Sequence, residues 1–144
     1  MKRFIIDASV AVKWVVEEEG TADALAVLET HPLSSPDLLI AECANIFWKK
    51  VRLGELDEEE ASLAARLIER ADIEILPTRH LLERAARLAI ALDHPAYDCV
   101  YLAVALERDW PFVTADVRFR GKIASSHPEY RGMILSVKEA LAQA

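Results

Sequence analysis

Short apolar runs of three or four residues recur along this chain, and stretches with helical character stand between them. The first run, Phe4-Ile5-Ile6, carries two β-branched residues and reads as a buried strand. Ile73-Glu74-Ile75-Leu76, closed by Pro77, reads as another strand, as do Phe112-Val113-Thr114 and Ile134-Leu135-Ser136-Val137. Leu33-Ser34-Ser35 fits a brief one. Helices are expected over Val10 to Val16, over Ala22 to Thr30 with Thr21 as cap and Leu25 and Leu28 on one side, and over Leu38 to Val51, begun by Pro36 and Asp37 and stopped at Gly54. Asp57 and Glu60 have capping-box spacing, and apolar residues at 61, 64, 67, 68 and 71 carry that helix's face. Leu81 to Leu92 follows, capped by Thr78 and broken by Asp93-His94-Pro95. Tyr97 to Glu107 is apolar nearly all round, so it is expected to be buried. A short helix after Asp116 and a helical C-terminal stretch complete the pattern. Strands alternating with helices argue for an α/β fold with a parallel sheet covered on both faces.

At 144 residues a single domain, 1–144, is expected. Apolar residues make up 53% and mean hydropathy is +0.13, which calls for a well-buried sheet, an apolar partner surface, or both. No apolar run is long enough to span a bilayer. Only three apolar residues separate Met1-Lys2-Arg3 from Asp7, so no signal peptide is expected and the cytoplasm is the expected compartment. Cys43 and Cys99 are far apart, without metal-ligand spacing, and read as reduced core thiols. A formal charge of −7 is not the basic excess usual for nucleic-acid binders. Acids gathered in one pocket, however, attract divalent cations, which in turn receive phosphates.

Four acids stand apart from the surface population: Asp7, Glu42, Asp98 and Asp116. Asp7 and Asp116 lie just past two strands, where parallel sheets place their ligands. Taken alone, each is better read as the N-cap of the helix that follows. Glu42, with Asn45 one turn on, interrupts or borders the apolar stripe of Leu38 to Trp48. Burying an unpaired carboxylate costs several kcal/mol, on the order of magnitude, so it demands an arginine partner or a cation. Asp98 is the sole charge in Tyr97 to Ala105, and its first-turn position also suits the helix dipole. Should all four converge, oxygen ligands select Mg²⁺ or Mn²⁺ over zinc. Two such ions about 3.5–4 Å apart can clamp a phosphodiester and generate hydroxide. Ser9 and Thr114 offer hydroxyls to a ligand water or a phosphate, or serve as strand-end turn bonds. Lys13 can face phosphate from the helix after Asp7, or simply be solvated, and Arg118, Arg120 and Lys122 form a small basic patch beside Asp116.

Other chemistries find no support. Four glycines are scattered and form no phosphate loop. There is no nucleophile elbow. His31, His94 and His127 each precede a proline, a turn setting, and His80 opens a helix, so none is assigned a catalytic role. Ser at position 9 excludes an Asp-x-Asp phosphatase. A receiver-like phosphoacceptor wants paired acids after the first strand, where only Asp7 stands.

Four blocks, Ile6-Asp7-Ala8-Ser9-Val10 with Lys13-Trp14, Pro36-Asp37-Leu38 to Glu42 with Asn45, Tyr97-Asp98 with Tyr101-Leu102-Ala103, and Thr114-Ala115-Asp116 with Phe119, occur in one order across nearly the whole chain. In that set the chain resembles the PIN-domain ribonucleases, most closely the VapC toxins of bacterial and archaeal toxin–antitoxin pairs. The resemblance implies a three-layer α/β/α sandwich around a central, mainly parallel sheet. It implies a Mg²⁺- or Mn²⁺-dependent endoribonuclease whose acidic site is Asp7, Glu42, Asp98 and Asp116. Asp7 and Asp98 would be direct metal ligands, and Glu42 and Asp116 second ligands or ones acting through water. It further implies a homodimer and a cognate antitoxin that places an arginine in the acidic pocket. The expected activity is therefore metal-dependent hydrolysis of RNA. The rival is a non-catalytic PIN-like domain that binds a metal and a partner, against which the retention of all four acids argues.

Overall fold

A computed structural model describes residues 2–143. Its elements in chain order are β1 (Phe4–Ile6), α1 (Ala8–Val15), α2 (Thr21–Thr30), β2 (Leu33–Pro36), α3 (Leu38–Arg52), α4 (Glu58–Glu69), β3 (Glu74–Leu76), α5 (Leu82–Leu92), α6 (Ala96–Arg108), β4 (Phe112–Val113), α7 (Val117–Ser126), β5 (Ile134–Leu135) and α8 (Val137–Leu141). The strands form one sheet in the order β3-β2-β1-β4-β5, and every neighbouring pair is parallel. Strand residues alternate between faces, as the two-residue period requires. Phe4, Ile6, Val113 and Leu135 pack on one side with α1, α2, α4 and the inner face of α3. Ile5, Phe112 and Ile134 pack on the other with α5, α6 and α7. The result is the expected three-layer α/β sandwich.

Local chemistry explains most boundaries. Asp57 and Glu60 make the reciprocal capping box foreseen for α4, and Ser136 with Glu139 makes a second one for α8. Two expected caps are not used. The N-cap of α2 is Gly20, whose φ of +88° suits a residue without Cβ. Thr21 instead opens the helix, its hydroxyl accepting from the Glu18 amide. The buried stripe of α2 is accordingly Thr21, Ala24 and Val27, with Leu28 packed at its margin. Thr78 does not cap with its side chain; it donates to Asp37 Oδ1 at 2.9 Å. The helix expected over Leu81 to Leu92 starts as a 3₁₀ turn, Arg79–Leu81. In α6, Tyr101 to Ala105 are buried as expected, but Tyr97 at its start is 62% exposed. Trp14 is a packing residue whose indole donates to the Ala24 carbonyl. Both cysteines are free and buried, and burial pushes their thiols up to about 12 for Cys43 and about 11 for Cys99. No described helix is long and apolar enough to cross a membrane.

Candidate active site

The sheet register builds the site. β1 is central and pairs Ile6 with Val113 of β4, so the next residues, Asp7 and Thr114, leave the sheet side by side. The strand order reverses around β1, the place where such sheets bind ligands. Asp7 at once caps α1 and lines the cleft at the strand ends. Its Oδ1 accepts from the Val10 amide at 3.2 Å, capping α1, and from the Ser9 hydroxyl at 2.6 Å. Its Oδ2 accepts from the Thr114 hydroxyl at 2.6 Å. Both hydroxyl protons are thus spent on Asp7, and each hydroxyl oxygen accepts a backbone amide in return, Ala115 N for Ser9 and Asp116 N for Thr114. Only 5% of Asp7 is exposed. Burial pushes its carboxyl up to about 6, against the pull of the two hydroxyls and the Val10 amide, and the charge of Asp98 adds to the rise.

Glu42 comes from the second turn of α3 and Asp98 from the first turn of α6. Burial raises the Glu42 carboxyl above its ordinary range; a hydrogen bond from Tyr101 pulls it back, and Asp98 adds to the rise. Burial likewise raises Asp98, with the His94 bond opposing and Asp116 adding to it. Asp116 caps α7, its Oδ1 accepting from the Phe119 amide at 3.0 Å. The four acids, with Ser9 and Asn45, line one cleft of about 510 Å³ whose other wall is Leu38, Ala41, Ile46 and Tyr97. A larger, more open depression lies on α4 alone and holds none of these residues.

Two partners of the acids escaped the sequence reading. Tyr101 donates its hydroxyl to Glu42 Oε1 at 2.6 Å. His94 Nε2 lies 2.7 Å from Asp98 Oδ2, and its ring packs on Phe119. The signal for His94 is its placement four residues before Asp98, in the turn that leads into α6. Conversely, Lys13 does not line the cleft: its ammonium donates to the Glu19 carbonyl at 2.7 Å and pairs with Glu18. Lys122 donates to the Asp93 carbonyl, and Arg120 approaches Glu139.

Among the described residues no Lys or Arg lies within ion-pair distance of any of the four acids. Nor do any three His, Cys, Asp or Glu side chains stand as a finished ligand cage. One oxygen each of Glu42, Asp98 and Asp116 nevertheless makes no hydrogen bond there. Glu42 and Asp98, which burial and neighbouring acidic charge hold up and no Lys or Arg offsets, suit with Asp116 beside them a hard divalent ion in donor type.

A model of the PIN domain matches residues 4–122, and the chain belongs to the PIN domain family. Within it the likeness is to the VapC proteins. The chain is 32% identical over 117 residues to Ribonuclease VapC3 of Pyrobaculum aerophilum, covering 79% of this chain and 89% of that protein. The fold matches the crystal structure of PAE2754 from Pyrobaculum aerophilum at a TM-score of 0.74, with 24% identity, over 99% of this chain and 88% of that one. It also matches Mycobacterium tuberculosis VapC20, a toxin cleaving the sarcin-ricin loop, at 0.63 with 14% identity over 82% and 93% of the two chains. A toxin–antitoxin complex from Klebsiella pneumoniae matches at 0.62 with 13% identity over 93% and 97%.

Proposed function

We propose that this chain is a Mg²⁺- or Mn²⁺-dependent endoribonuclease and the toxin of a VapBC-type pair. The observation that carries the reading is the convergence of Asp7, Glu42, Asp98 and Asp116 on one cleft, with no Lys or Arg in ion-pair distance among the described residues. A cation held there supplies an activated water and charge stabilisation at the scissile phosphate. Asp7 and Asp98 would be direct ligands, with Glu42 and Asp116 completing the set or acting through water. Ser9 and Thr114 hold Asp7 in one orientation, so its carboxylate is preorganised rather than recruited. Asn45, exposed on the cleft wall, is free to meet substrate, and no side-chain nucleophile is required. The kinship with VapC3 supports RNA as the substrate. The Klebsiella complex supports an antitoxin partner. Exposed Ile40, Trp48, Leu82 and Ile90 offer apolar surface for that partner and for a homodimer. The test is cleavage of mixed RNA with Mg²⁺, with Mn²⁺ and with EDTA, beside Asp98→Asn. Metal-dependent cleavage lost in the variant supports the proposal. Metal binding without cleavage would move the assignment to a non-catalytic domain.

A further inference from the structure

Tyr101 is fully buried on α6, with its ring stacked on Phe112 of β4 at 5.4 Å between centroids and 9° between planes. Ring packing accounts for an aromatic residue here but not for a hydroxyl. A phenylalanine would fill the same space without bringing a polar atom out of water, which costs free energy unless a partner is found. The hydroxyl's one hydrogen-bond partner among the described residues is Glu42 Oε1, 2.6 Å away on α3 and 59 residues distant in sequence.

We infer that Tyr101 is a positioning residue for Glu42, fixing that carboxylate so that its second oxygen faces the cleft. The inference rests on the metal-dependent reading above. Three features of the contact support it. Glu has three rotatable side-chain bonds and loses substantial rotamer entropy when ordered. A donor on a rigid, stacked ring orders the carboxylate before any ligand arrives. The donor occupies Oε1 only, and Oε2 makes no hydrogen bond among the described residues. Finally, the donor is neutral. An arginine or lysine in its place would cancel the charge a cation needs, whereas a phenol orients the carboxylate and leaves it charged. The same division holds at Asp7, where the two orienting groups are again hydroxyls.

The test compares Mn²⁺ binding by calorimetry to the wild-type chain, Tyr101→Phe, Glu42→Ala and the double variant, with apo melting temperatures measured alongside. The expected result is a Kd for Mn²⁺ raised about 10- to 100-fold in Tyr101→Phe, the range for lost support of a metal ligand. In the Glu42→Ala background the same change should add less than about twofold, because residues acting through one another are not additive. A purely structural tie between α3 and α6 would move the melting temperature and leave Kd alone. An unchanged Kd in Tyr101→Phe, or full additivity in the double variant, overturns the inference while the metal-dependent reading stands. Absence of Mn²⁺ binding by the wild-type chain overturns that reading and the inference with it. If Tyr101→Phe does not fold, ¹⁹F spectra of the chain carrying 3-fluorotyrosine decide. A Tyr101 signal that moves with Mg²⁺, and is silent in Glu42→Ala, supports the inference; one that never moves overturns it.

Discussion

Thr114 and Asp7, 107 residues apart in sequence, are joined by a 2.6 Å hydrogen bond in which the threonine hydroxyl donates to the carboxylate. The pairing of Ile6 with Val113 places them together at the strand ends, so the contact follows from the register of the two central strands. The same hydroxyl oxygen accepts the Asp116 amide at 3.1 Å. Thr114 therefore links two of the four acids through one atom.

Thr114→Val keeps the shape and removes that atom. It leaves a buried carboxylate short of a donor and the Asp116 amide short of an acceptor. The expected cost is about 1–3 kcal/mol in urea unfolding, with RNA cleavage falling as well. Thr114→Ser keeps the hydroxyl and should recover most of both. Equal stability of the valine and serine variants would show that the hydrogen bonds do not matter here.

Asp7 should make the metal-free protein less stable as pH rises. Its carboxyl is pushed up to about 6 in the folded chain from an ordinary 3.8. Between those values the folded state holds a proton that the unfolded state has released. The stabilisation is therefore complete below pH 3.8 and is lost as pH climbs through about 6. The full difference is on the order of 3 kcal/mol. Asp7→Asn cannot titrate and escapes it. In EDTA, the stability of Asp7→Asn relative to wild type should improve between pH 4 and pH 7, although the variant should cleave no RNA. Parallel pH profiles for the two proteins would refute the assignment.

Metal binding should show the opposite pH trend. A cation competes with protons for Asp7, whose carboxyl burial pushes up to about 6, and for Glu42 and Asp98, which burial also raises above their ordinary range. Mg²⁺ should raise the melting temperature more at pH 7.5 than at pH 5.5. At a Mg²⁺ concentration 100 times its Kd the stabilisation is about 2.7 kcal/mol. Asp98→Asn should abolish the shift at both pH values.

The acids were legible in the sequence because each breaks a local rule. Asp7 and Asp116 end apolar strands, and Glu42 and Asp98 interrupt apolar helices. Their orienting partners were not, because those depend on how helices pack. Nothing local ties Tyr101 to Glu42 until α6 and α3 meet. The second strand was the faintest, since Ser34 and Ser35 dilute its apolar character. Both are fully buried, and each finds a partner: Ser34 meets Arg3 and Glu74, and Ser35 donates to the Ile6 carbonyl. The sequence leaves Lys13 either facing phosphate or solvated, but the turn at Gly20 brings the Glu19 carbonyl and Glu18 to its ammonium.

His94 reads in sequence as a turn residue before Pro95, and its backbone does turn. α5 ends on Asp93 in the left-handed region, with φ of 49°, and Pro95 opens α6. That turn carries the imidazole inward until only 9% of the side chain is exposed, with Nε2 at 2.7 Å from Asp98 Oδ2. When Asp98 is ionised, as a metal ligand must be, it can only accept, and Nε2 then carries the proton. The bond fixes one oxygen of Asp98 and leaves the other free for the cleft, as Tyr101 does for Glu42. His94→Gln places an amide donor close to the same point and should retain most activity. His94→Leu fills the space against Phe119 but donates nothing. Its half-saturating Mg²⁺ concentration for RNA cleavage should rise about 10- to 100-fold, with circular dichroism unchanged. If the leucine variant matched wild type across a Mg²⁺ titration, the histidine would be a packing residue and Asp98 would orient itself.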